Sequence, residues 1–138
     1  MNSVAEQEFG ILHETQAMRN QLMDMLTDAD LAYALPGNST FGELCWQIGA
    51  VQRTYVDSFK TFTLGFDYGS PDAAIASSVE RLKAWFKAMD DEMDNAISAL
   101  SEDDAQNKQI DRGGGFMLPI RPQIHVYREA LLIFYGRA

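Results

Sequence analysis

Apolar positions recur every three to four residues over four stretches of the chain, and no stretch shows sustained alternation between turn signals. The first, roughly residues 4 to 27, carries Ile11, Met18, Leu22 and Met25 at helical spacing, with Leu12 and Leu26 widening a stripe expected to face the core. Asp28 through Ser39 interrupts the pattern, and Pro36, Gly37 and Asn38 mark a turn. Thr40 followed by Glu43 then reads as a capping box, in which hydroxyl and carboxylate each satisfy a backbone donor left orphaned by the first helical turn. The stripe of this second helix is Leu44, Ile48, Val51, Tyr55, Phe59 and Phe62, and Gly65 to Gly69 closes it.

Ser70-Pro71-Asp72 predicts the start of a third helix, with an N-cap, a proline at the first helical position and an early acid. Ile75, Val79, Leu82, Phe86, Met89, Met93, Ile97 and Leu100 hold one face of it, while Asp90, Asp91, Glu92 and Asp94 are expected to face water. Residues 101–117, polar and glycine-rich through Gly113-Gly114-Gly115, read as a long connection. The last helix is expected from near Pro119 to Pro122 until about Tyr135. Four long helices with extended connections predict an all-α fold, a four-helix bundle formed by residues 1–138 as one domain.

Composition narrows the partners. Twenty acidic against eleven basic side chains give a net charge of −9 without a Lys/Arg cluster, the wrong footprint for nucleic acid or for an anionic membrane surface. The lone Cys45 rules out an internal disulfide, and neither a secretory signal pattern nor an apolar run of about 18 residues appears. A soluble, reducing, cytoplasmic setting is expected. Cys45 lies near a helix N-terminus that could lower a thiol pKa, but no base is paired with it, and a buried, inert cysteine is the simpler reading.

Chemistry concentrates on the last helix. Ile124, Tyr127, Leu131 and Phe134 form one stripe, and Val126, Ala130, Leu132 and Ile133 cover most of the remaining circumference, as expected of a helix buried among neighbours or at a subunit contact. His125, Arg128 and Glu129 share one side and need partners. An imidazole and a carboxylate one turn apart can ligate a divalent metal; equally, they can close a ring of hydrogen bonds and ion pairs with no metal. Gln47, on the flank of the second helix's stripe, reads as a surface amide or as a third, inward ligand. Arg121 and Arg128 could hold a substrate carboxylate or pair with local acids, and His13 reads as a surface residue.

The runs Leu35-Pro36-Gly37-Asn38-Ser39-Thr40-Phe41-Gly42-Glu43-Leu44 and Pro122-Gln123-Ile124-His125-Val126-Tyr127-Arg128-Glu129 resemble the second-helix start and terminal helix of the DinB/YfiT-like superfamily of small bacterial four-helix proteins. The resemblance implies a bundle with a long crossover, frequent homodimers, and in some relatives thiol-dependent transferase or isomerase chemistry at a nickel, zinc or iron ion. Carried over, the three ligands fall on Gln47, His125 and Glu129, where Gln47 replaces a histidine with a much poorer donor. Two functions follow as expectations. One is a divalent-metal-dependent enzyme acting on a small molecule through a weak or vestigial site; the other is a non-catalytic homodimeric binding or stress-response module whose polar triad is structural and whose terminal helix packs at the subunit interface.

Overall fold

Short polar side chains start almost every helix. The computed structural model describes residues 1–66 and 69–137. Asn2 accepts the Ala5 amide to begin α1 (Ser3–Asp24), and its own amide donates to the carbonyls of Ile97 and Leu100 at 2.8 and 3.0 Å. Thr27 and Asp30 form a full capping box on the one-turn α2 (Asp28–Leu31). At α3 (Phe41–Thr61) the Thr40 hydroxyl accepts the Glu43 amide as expected, but the Glu43 carboxylate accepts a hydrogen bond from the Thr40 hydroxyl and not from the Thr40 backbone amide, so only half of the box forms.

The expected third helix is broken in two. Asp72, not Ser70, caps α4 (Ala73–Ala76); Ser77 ends it, and Ser78 in an extended conformation starts α5 (Val79–Ser98) by accepting the Arg81 amide. Serine competes for backbone groups inside a helix and favours its ends, which is why the apolar period runs across a break it does not reveal. The short α4 packs against Gly42 of α3, where a Cβ would lie 1.8 Å from the Ala76 carbonyl oxygen. The turn expected at residues 65–69 lies partly outside the described residues.

The connection expected at 101–117 also has structure. Ser101 caps α6 (Glu102–Asn107), and β1 (Gln109–Asp111) pairs antiparallel with β2 (Met117–Pro119), Ile110 opposite Leu118. Three-residue strands are too short to show alternation. Their loop turns on Gly113, Gly114 and Gly115, all at positive φ. The chain then enters α7 (Ile120–Arg137).

Cross-helix contacts define an up-down-down-up bundle. His13 meets Asp94 and Asp24 meets Lys83, so α5 runs against α1; Gln52 meets Asp90 and Arg53 meets Glu92, so α5 runs along α3. Arg121 bonds Gln7 and Tyr135 bonds the Thr15 carbonyl, which sets α7 parallel to α1. The parallel pair α3 and α5 needs the crossover carried by residues 62–78. Among the described residues no helix is long and apolar enough to cross a membrane.

The core holds Leu12, Met23, Phe59, Phe86, Met89, Met93, Ile124, Tyr127 and Leu131 with almost no exposure. Two expectations are corrected there. Of the expected stripe, Leu12 is buried and Leu22 and Leu26 pack against the core, but Ile11, Met18 and Met25 are 49, 51 and 80% exposed, and α1 also buries Val4, Ala5, Glu8, Thr15, Gln16, Arg19 and Met23. Asp90 likewise turns inward from the acidic run. Both have one cause: Arg19, with no exposure, donates to Gln52 Oε1 at 2.9 Å and to Asp90 Oδ2 at 2.5 Å, stacks over Phe86 at 4.3 Å, and Gln52 donates to the other Asp90 oxygen at 2.7 Å. A buried guanidinium is tolerated only when its charge is balanced and most of its donors are taken; of the Arg19 nitrogens, Nε has no partner among the described residues.

Removing the balancing carboxylate leaves that charge stranded. Asp90→Ala is therefore expected to cost about 3 kcal/mol or more in urea unfolding, and Asp90→Asn, which keeps an acceptor, less; equal and small effects would show that the pair carries little of the fold.

Candidate functional site

The terminal helix faces three neighbourhoods. Its core side carries Ile120, Gln123, Ile124, Tyr127, Leu131 and Phe134, all buried. Gln123 is held within hydrogen bonds: it accepts from Arg112 at 2.6 Å and donates to the Ser58 hydroxyl at 3.1 Å.

Towards α1, the His125 imidazole donates through Nε2 to Glu8 Oε2 at 2.9 Å, and Arg121 Nε lies 3.6 Å from Glu8 Oε1. Glu8 is buried, with a side chain only 9% exposed, while Arg121 and His125 are roughly half exposed. The partner that the polar side chains of α7 require is thus a carboxylate from the first helix. Sequence reasoning missed Glu8 because it lies 117 positions from His125 and a carboxylate was not expected among the inward residues of its own helix. Arg121 pairs with this local acid, and Arg128 contacts the Thr15 hydroxyl at 3.5 Å.

Towards α3, a shallow groove of about 170 Å³ runs between Leu44, Ile48 and Val51 on one wall and Ala130, Ile133 and Phe134 on the other. Gln47 and Arg137 are its polar members. They also border a second hollow of about 950 Å³ that extends past Phe41 to Leu26, Tyr33 and Leu35. Neither Gln47 nor Arg137 makes a hydrogen bond or ion pair among the described residues.

The three residues singled out for a metal therefore occupy different surroundings. Gln47 is exposed and looks onto α7 residues 130–137, His125 turns to Glu8, and Glu129 is exposed with no polar partner among the described residues. The donor set does not fit a divalent ion: one member is a neutral amide, the Nε2 of the second is engaged, and the charge beside the amide is the guanidinium of Arg137. Among the described residues no group of three His, Cys, Asp or Glu side chains is placed to hold a metal.

Tyr55, Tyr127, Trp46 and Trp85 pack within the bundle, and His13 and Cys45 take the surface and core places expected of them. Tyr55 and Tyr127 are buried with ring centroids 5.5 Å apart, Trp46 and Trp85 stack at 6.1 Å, and Trp85 lies over Gly49, where a Cβ would meet it at 2.4 Å. His13 is a half-exposed surface residue paired with Asp94 at 2.8 Å. Cys45 is buried, and burial pushes its thiol from 9.0 up to about 12.

The family model described as the DinB superfamily matches residues 11–129, a span that includes all of α3 and α5 and most of α1. Among curated proteins and among solved structures nothing matches the chain.

The raised thiol carries a direct test. Three units separate Cys45 from an ordinary thiol, so its alkylation by iodoacetamide at pH 8 is expected to run roughly a thousandfold slower in the native chain than in urea. Comparable rates in the two states would place the sulfur at the surface and return it to the list of nucleophiles.

Proposed function

The chain belongs to the DinB superfamily, and on that footing we propose that it works as a homodimeric binding module, with the polar side chains of α7 serving structure and not metal chemistry. One observation carries this reading: three apolar residues along α1 lie outside, while Leu12, Leu22 and Leu26 of the same stripe pack inward. Ile11, Met18 and Met25 are seven residues apart, so they share one flank of the helix, and each is at least 49% exposed. The face of α7 turned to the same side adds Leu132, 51% exposed, one turn beyond Arg128.

A monomer rarely leaves such a stripe in water. A heptad spacing is the pattern by which one helix packs along another, and a second copy supplies the same stripe. Charge favours that occupant. Arg128 and Glu129 stand side by side at the edge of the stripe, and Glu14 stands on α1; neither Glu14 nor Glu129 has a polar partner among the described residues, so a two-fold arrangement can bring unlike charges together.

The His125–Glu8 pair supports the structural role. It joins the first and last long helices across a partly buried seam, the position in which an imidazole is better explained by its carboxylate than by an ion.

The oligomer is read by light scattering coupled to gel filtration. The chain is expected to elute as a dimer, and Met18→Glu as a monomer of unchanged helicity and with stability within about 0.5 kcal/mol of the parent, since Met18 is exposed. A monomeric parent chain at the highest attainable concentration sinks the proposal. In parallel, nickel or zinc is expected to leave the Tm of the untagged protein unchanged, as it leaves that of the His125→Ala variant; near-stoichiometric metal lost on that substitution would restore the metalloenzyme reading.

A further inference from the structure

We infer that the groove between α3 and the C-terminal half of α7 binds a small organic monocarboxylate, its apolar body along the groove and its carboxylate between Arg137 and Gln47. The inference rests on the binding-module reading and gives that module a ligand class. It starts from an imbalance in the groove: the walls are aliphatic and aromatic, the two polar side chains border both this groove and the adjoining hollow, and neither donor has a partner among the described residues.

Charge selects the sign of the ligand. Arg137 is the one ionised side chain lining the groove, so a cation, whether metal ion or amine, meets repulsion and no compensating donor. Its planar fork matches a carboxylate in two parallel hydrogen bonds, and the Gln47 amide can donate to a carboxylate oxygen.

Charge also limits the ligand to one negative unit. The adjoining hollow brings in Asp30 and no second cation, so a di- or triphosphate would set its additional charges against a carboxylate. Asp30 is not free to move aside, because its side chain accepts the Thr27 amide at 2.8 Å.

Shape sets the size. About 170 Å³ is the volume of roughly six waters, enough for a short alkyl chain or one ring against Ile133 and Phe134. A longer tail continues into the adjoining hollow through Leu44, which borders both. Burying that tail supplies affinity in proportion to its apolar area, while the guanidinium fixes which end sits at the mouth.

The test uses the full chain and three probes of equal tail length: octanoate, octylamine and octanol. Octanoate is expected to bind saturably at one per chain by calorimetry and to raise Tm, octanol to bind at least tenfold more weakly, and octylamine not to bind. Arg137→Gln is expected to weaken octanoate roughly tenfold or more with unchanged helicity, consistent with loss of hydrogen bonds to a charged group, and Arg137→Lys to recover part of the loss. Equal binding of all three probes, no binding of octanoate, or indifference to Arg137→Gln overturns the inference. The dimer is scored separately: Met18→Glu is expected to leave octanoate binding intact, and Arg137→Gln to leave the oligomer intact. An Arg137→Gln chain that loses both would mark the groove as a contact between copies and would also overturn it.

Discussion

A fully buried guanidinium is the constraint around which this bundle is arranged. Arg19 has no exposure, and the Coulomb cost of leaving it unbalanced exceeds what any single apolar contact returns. Asp90 and Gln52 meet it from α5 and α3, and Phe86 closes over it. Three helices thereby acquire a common level and a common rotation. Sliding any of them by one turn would separate charges that have no water to fall back on.

The rotation has a price on the outer surface. With Arg19 pointing in, the most apolar flank of α1 points out, and Ile11, Met18 and Met25 are left in solvent. The same orientation brings Glu8 to the seam with α7, where it takes His125 and Arg121. An interior satisfied by polar contacts and an exterior left apolar are thus two results of one choice. The first removes the imidazole of α7 from ready use as a ligand, and the second creates a surface that a partner can cover. On the opposite flank of α7 the balance differs, since aliphatic walls meet only Gln47 and Arg137 there.

The four long helices were legible because their stripes and caps act locally. Thr40 ahead of α3, and Ile124, Tyr127, Leu131 and Phe134 along α7, behave as their spacing requires. Where reasoning from the chain failed, it failed on interactions between distant residues. Periodicity ranks the faces of a helix by greasiness, and α1 buries its less greasy face because Asp90, 71 positions away, waits there. The break at Ser77-Ser78 left the apolar period intact, and a three-residue hairpin leaves none to read. The candidate site shared this limit. Spacing placed His125 and Glu129 correctly on one side of a helix, but whether that side meets Gln47 depends on packing, which sets residues 130–137 opposite Gln47 instead.

The parallel pairing of α1 with α7 bears on how the chain reaches this state. The contacts that join these helices span 114 residues between Gln7 and Arg121 and 120 between Thr15 and Tyr135. Bundles whose neighbours follow one another in sequence can close by short loops, whereas the seam between α1 and α7 closes only through a loop almost as long as the chain itself. Apart from that seam, α1 is fastened through Asn2, Ser3 and Arg19 and by its ion pairs with α5. The seam that seats Glu8 and Tyr135 therefore carries the largest loop-closure cost in the fold.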